Sequence, residues 1–263
     1  MKVRTTMASY QNILVVIDPS TDEQKALKRA IDLAQRINAS GNNSVSVNAF
    51  LSIFDFSYEM TTILSSEERD VMCQSVIKDK ELWLENIISE LKPDIEISCQ
   101  VVWHNRPFEA IIEQVIQKNY DLVIKGTHQH DKFKSVVFTP TDWHILRKCP
   151  CPVLLVKEHE WPSNGNLLAA LNVGSDEDEH HSLNRKITKE AEQLAKIIDA
   201  NVHLVNLEDG EIYVTISEEI PESKDLKKGE FYINPNIDEY KSIIDQLTEQ
   251  GFMSKKETSN QIV

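Results

Sequence analysis

Apolar residues in this chain arrive in two alternating kinds of run, short continuous ones and longer ones spaced three and four apart. Residues 13–17 are five consecutive apolar positions closed by Asp18 and Pro19, which predicts a buried strand and its exit. From Asp22 onward Ala26, Leu27, Ala30, Ile31, Leu33, Ala34 and Ile37 share one helical face. Residues 45–51 then predict a second strand, and the short connections make a right-handed parallel unit. Residues 65–91 open with Ser65 and Glu68 in capping-box spacing and carry Val71, Ile77, Leu82, Leu84, Ile87, Ile88 and Leu91, so a long helix is expected, ended by Pro93. Residues 95–103 predict a third strand. Pro107 opens a helix through Ile111, Ile112, Val115 and Ile116. Leu122, Val123 and Ile124 form a short buried run that stops at Gly126. Thr139, Pro140 and Asp142 supply an N-cap, an N1 proline and an N3 acid for another helix, and residues 151–156 predict a fifth strand. The pattern is that of an α/β domain over residues 7–158, a doubly wound five-stranded parallel sheet.

Residues 158–166 combine Pro, Ser, Asn and Gly and read as a linker. Beyond it the pattern begins again. Residues 167–171 repeat the first strand, Asn172 takes the place of Asp18, and Ser175 corresponds to Ser20. Residues 183–198 repeat the first helix and 202–205 the second strand, an internal duplication. Residues 209–234 are acidic and irregular, and 237–247 are helical in pattern. The expectation is a partial second domain over 166–263, with no counterpart of the Gly126 loop or the fifth strand.

Charge and cysteine content narrow the partners. Across 263 residues the net charge is -14 with 41% hydrophobic content, ample for a core but opposed to binding nucleic acid backbones or anionic lipid, which need clustered cations. No direct nucleic acid binding is expected. No apolar run approaches the ~20 residues of a spanning helix, so no membrane insertion is expected. Residues 1–12 lack an apolar stretch, which predicts no secretory signal. Cys73, Cys99, Cys149 and Cys151 show no framework spacing, which fits the reducing cytoplasm. Cys149 and Cys151 are too close in sequence for a relaxed disulfide, and inert packing is expected.

Chemistry concentrates after the fourth strand. A glycine-rich loop there would aim backbone N–H groups at phosphates, but Gly126 is followed by Thr127, His128, Gln129, His130 and Asp131, and the next helix opens with a proline that donates no N–H. Phosphate binding is therefore disfavoured, and no cofactor is expected. Asp18 lies where a carboxylate could meet a base or ribose, or could cap the first helix. His104 and Arg106 close the third strand; Arg106 suits an anionic ligand, Asp18 or a surface salt bridge. His128 and His130, with Asp131 or His144, are either metal ligands or solvated loop residues. Trp103, Trp143 and Phe138 are expected in the core, or as an apolar wall beside a ligand. The candidate ligand-binding set is Asp18, His104, Arg106, Gly126, Thr127, His128 and Thr139. No nucleophile, base and orienting residue converge, so no enzyme is expected.

Residues 121–128 and 149–156 resemble the last two strands of a universal stress protein domain. Residues 7–12, 54–62, 102–112, 128–131 and 138–144 are similar to those of the tandem-domain members of that family. The resemblance implies an adenine nucleotide alpha hydrolase-like, Rossmann-like fold, with the Asp18 position used for nucleotide contacts. It also implies a cytoplasmic, non-catalytic ligand-binding or interaction module in stress survival, including resistance to DNA damage. The ligand would be an apolar or nucleotide-like small molecule. Tandem members pack their halves through the fifth strands, which implies a homodimer through residues 151–156 here. Two alternatives remain: a nucleotide-binding protein with weak ATP hydrolase activity through Asp18 and the Gly126 loop, and a metal-binding regulator through His128 and His130.

Overall fold

In the computed structural model, which describes residues 10–40, 44–60, 65–130, 133–137, 139–157, 160–171, 178–208 and 211–216, the first apolar run forms β1 (Asn12–Val16). It leads to α1 (Lys25–Ser40), which starts three residues later than the periodicity predicts. The delay has a local cause. The Gln24 side chain accepts from Asp18 N–H at 3.0 Å and donates to the Asp18 carbonyl at 2.7 Å, holding residues 18–24 as a closed turn. β2 (Ser46–Ile53) follows, then a short helix α2 (Phe56–Met60) that no periodicity over five residues could announce. Asp55 initiates α2 by accepting from the Ser57 N–H and hydroxyl at 2.9 and 2.7 Å.

α3 (Ser66–Leu91) has the expected capping box: Ser65 accepts from Glu68 N–H, and Glu68 accepts from Ser65 N–H. Its inward face is narrower than the sequence predicts, with Leu84 and Ile87 buried but Val71 and Leu82 exposed. β3 (Ile97–Trp103), α4 (Pro107–Lys118) and β4 (Leu122–Gly126) come next. Residues beyond Gly126, expected as an irregular loop, instead form β5 (His128–His130) and β6 (Phe133–Val137), which pair with each other. α5 (Pro140–Lys148) and β7 (Val153–Val156) complete the series.

β1, β2, β3, β4 and β7 form one parallel sheet in the order β3-β2-β1-β4-β7, so the expected doubly wound topology is present and the direction of winding reverses between β1 and β4. Alternate side chains fill opposite faces. Leu14, Phe50 and Val123 meet Ala110, Ile111 and Val115 of α4 and Ile145 of α5. Ile13, Val15, Ala49 and Ile124 have the opposite parity, on the face where α1 buries Ala26, Leu27, Ala30, Leu33 and Ala34. Asp121 locks the amino end of β4 to β1 by accepting from Gln11 N–H at 2.7 Å and Asn12 N–H at 3.1 Å.

The described residues fall into two compact units, one within 9–128 and 137–159, the other within 129–136 and 160–263. In the second, β8 (Gly165–Leu171), α6 (Asp178–Ile198) and β9 (Ala200–Glu208) repeat the strand–helix–strand pattern, with Ala169, Leu171, Ala191, Ala195 and Leu204 as their shared core. The repeat then departs from the first copy. β10 (Glu211–Ile216) runs antiparallel to β9, where the sequence predicts irregular chain. The alternating run Ile212, Val214, Ile216 pairs antiparallel with the strand that precedes it in sequence, Glu211 standing opposite Glu208. Residues 217–234 and the helix expected at 237–247 lie outside the described residues, as do Asn172 and Ser175.

Candidate functional site

Pairing of Val16 with Lys125 puts the carboxyl ends of β1 and β4 side by side at the point where the sheet changes winding direction, the position at which open α/β sheets bind ligands. Asp18 and Gly126 stand here. The Asp18 carboxylate accepts from the Ser20 N–H at 2.9 Å and hydroxyl at 2.6 Å, so it shapes the turn into α1. Gly126 lies under the Lys25 side chain: a Cβ at this glycine would come within 3.0 Å of Lys25 Cε. A larger residue here would require the flexible Lys25 stem to shift by a few tenths of an ångström.

Thr127 is buried, and both its N–H and its hydroxyl donate to the Val156 carbonyl, at 2.9 and 3.2 Å. It extends the β4–β7 pairing by one residue. Thr139 caps α5 as its spacing predicts. Its hydroxyl accepts from Asp142 N–H at 3.2 Å and donates to Asp142 Oδ2 at 2.9 Å, while its own N–H donates to the same oxygen at 2.7 Å.

Sequence reasoning counted Asp142 only as a cap, and it missed Lys125 altogether. Lys125 Nζ lies 2.7 Å from Asp142 Oδ1, an ion pair outside hydrogen-bond alignment, and also donates to the Gly126 carbonyl at 3.2 Å. Asp142 is 0% exposed. An anion therefore already occupies the first turn of α5, where positive backbone charge would attract a phosphate, and its countercharge comes from β4. A lysine following Leu-Val-Ile looks in sequence like the solvent end of a strand; only tertiary packing reveals the pair.

His104 and Arg106 are set apart from this centre. They follow β3, an outer strand two positions from β1, or about 10 Å at ordinary strand spacing. His104 Nδ1 lies 3.1 Å from the Arg106 N–H and 3.0 Å from the Arg106 carbonyl, accepting from the first in one tautomer and donating to the second in the other. The guanidinium pairs with Glu109 at 2.8 Å, in line with the surface salt bridge foreseen, and that hydrogen bond lowers the Glu109 carboxyl pKa. Next along α4, Phe108 stacks on His144 of α5 with centroids 4.2 Å apart. Trp103 packs with Phe54 and Tyr58 as an aromatic cluster beyond β2 and β3, with centroid separations of 5.8 and 5.5 Å. Trp143, expected inside, is instead 48% exposed, because the N3 acid beside it takes the inward position on α5. The His128 and His130 side chains, Asp131 and Phe138 lie outside the described residues.

Comparison with known proteins agrees with this architecture. Universal stress protein E of Escherichia coli (strain K12) is 52% identical over 201 residues, covering 76% of this chain and 62% of that protein. The Universal stress protein E homolog of Haemophilus influenzae is 39% identical over 198 residues, covering 74% of this chain and 63% of its own length. The match thus spans less than two thirds of these relatives. Among solved structures, a functionally unknown protein from Pseudomonas aeruginosa PAO1 superposes with a TM-score of 0.53 at 26% identity, covering 77% of this chain and 62% of its own. A putative universal stress protein from P. aeruginosa UCBPP-PA14 gives 0.53 at 22% identity over 95% and 73%, a likeness of fold alone. Residues 9–157, more than half of the chain, match the Universal stress protein family, and the protein belongs to that family.

Proposed function

We propose that this universal stress protein is a non-catalytic ligand-binding or interaction module of the cytoplasmic stress response, serving survival that includes resistance to DNA damage. The observation that supports it most directly is the Lys125–Asp142 pair. The phosphate position at the start of α5 is filled by the protein's own carboxylate, so a nucleoside triphosphate would have to displace a buried, neutralised anion and meet the N–H-less Pro140. Phosphoryl transfer depends on positioned phosphates and stabilised charge, and both are denied here. The other candidate contacts, His104 and Arg106, follow β3 and stand apart from this centre, where a ligand smaller in charge than a triphosphate could reach them.

The rival reading, a nucleotide-binding protein with weak hydrolase activity, draws on the adjacency of Asp18 and Gly126 at the winding switch. Titration calorimetry of the full chain with ATP and magnesium separates the two. We expect no saturable heat in the micromolar range and no release of phosphate. A micromolar site that disappears in Asp18→Ala would establish the rival.

A further inference from the structure

The turn between α5 and β7 holds two thiols in contact, and neither the fold nor the proposed ligand site uses them. Cys149 Sγ and Cys151 Sγ are 3.6 Å apart, and both residues are half-buried against the core under α4 and α5. The juxtaposition is built by the backbone. Cys149 closes α5 in extended conformation, φ -67 and ψ 130, which places side chains two residues apart on one side of the chain. Pro150 and Pro152 fix φ on either side of Cys151. Both ends are tied, Cys149 N–H to the Ile145 carbonyl at 2.9 Å and the Pro152 carbonyl to Val123 N–H at 3.0 Å. The thiols meet because the turn holds them there.

We propose that Cys149 and Cys151 form an oxidisable dithiol, a site of reversible modification by hydroperoxides. Their roles differ. A hydrogen bond between the two thiols, in which Cys151 can be the donor, holds the Cys149 pKa below the ordinary thiol range against burial, while the carbonyl end of α5 acts in the opposite sense. The same hydrogen bond, burial and the nearby Asp121 charge push Cys151 up, so it keeps its proton. Cys149 is the nucleophile and Cys151 the resolving thiol.

In the first step the Cys149 thiolate attacks one oxygen of the peroxide; an S–O bond forms, the O–O bond breaks, and hydroxide leaves to take up the proton Cys149 had lost. In the second, Cys151 sulfur attacks Cys149 sulfur; the S–S bond forms, the S–O bond breaks, and the departing hydroxide carries off the Cys151 proton. Two sulfurs lose two electrons and hydrogen peroxide becomes two waters. The sulfurs close from 3.6 Å to about 2.05 Å, and with one residue between them the bond is a strained one, as the spacing predicts. Only Pro150 lies between the cysteines, so the loop closed is minimal and the bond constrains the unfolded chain little. It serves as a labile mark more than a structural staple.

The remaining cysteines provide internal controls. Burial and the carboxylates of Glu85 and Glu81 raise the Cys99 pKa, and Cys73 lies on α3, outside the turn that holds Cys149 and Cys151. The test treats the reduced full-length protein with one equivalent of hydrogen peroxide, alkylates, and maps the peptides by mass. The expected result is loss of two hydrogens from the peptide holding Cys149 and Cys151, protection of both from alkylation, and recovery with dithiothreitol, while Cys73 and Cys99 still alkylate. In Cys151→Ser the oxidation should stop at a dimedone-reactive sulfenic acid on Cys149. Alkylation of Cys149 and Cys151 as complete after peroxide as before, or oxidation no faster than at Cys73, overturns the proposal. The wild-type map decides the matter even if a variant folds poorly.

Discussion

Lys125 and Asp142 are the two residues whose replacement tells most about the centre of the first unit. Removing one member of a buried pair leaves a charge without a countercharge in a dry site, at a cost of about 3–5 kcal/mol. Lys125→Met should therefore lower unfolding stability by about that amount in urea titrations. The double variant Lys125→Met/Asp142→Asn should recover part of the loss. Strict additivity of the two single changes would show that the charges do not interact. Little of this was legible beforehand. Capping needs only a few consecutive residues, so Thr139, Pro140 and Asp142 announce themselves; a partner seventeen positions away on a strand does not. Likewise Asp18 and Gly126 were placed at the winding switch from the sequence, whereas the Lys25 stem lying over Gly126 was not.

At the scale of elements, caps and the five parallel strands were read well, while β5, β6 and β10 were missed and helix faces were read poorly. The apolar positions of α3 announced a helix without saying which of them are buried, and only its later turns, around Leu84 and Ile87, are, where it lies against β3. Leu84→Ala should cost about 2–5 kcal/mol, and Val71→Ala should stay within about 0.5 kcal/mol. Chemical denaturation of both variants measures the contrast, and equal losses would contradict it. The cap of α3 also carries a pH dependence. Hydrogen bonds from Ser65 lower the Glu68 pKa below its ordinary 4.5, so the native state binds fewer protons there than the unfolded state in mild acid. That contribution is present above about 4.5 and is lost as pH falls through the lowered value. Asp55 behaves in the same way at α2. Glu68→Gln, which removes the titrating carboxyl, should flatten the fall in thermal midpoint between neutral and acid pH; an unchanged slope would count against the cap as its source.

For the whole molecule, the five-stranded sheet closes on one side with β7, whose strand neighbour is β4. An outer strand that is short and apolar presents backbone donors and acceptors to another strand, and an isologous contact satisfies two copies at once. The expected assembly is a homodimer through Val153–Val156. Light scattering at tens of micromolar should give twice the chain mass, and a monomer would refute this assembly.

The chain leaves the sheet at Thr127 and enters α5 at Thr139, and each threshold is fastened on its own account: Thr127 by two bonds to Val156, Thr139 by the cap that the Lys125 ammonium braces. What lies between is thus a graft held by two independent sutures. Evolution is at liberty to lengthen, shorten or reword it while the scaffold beneath keeps its register.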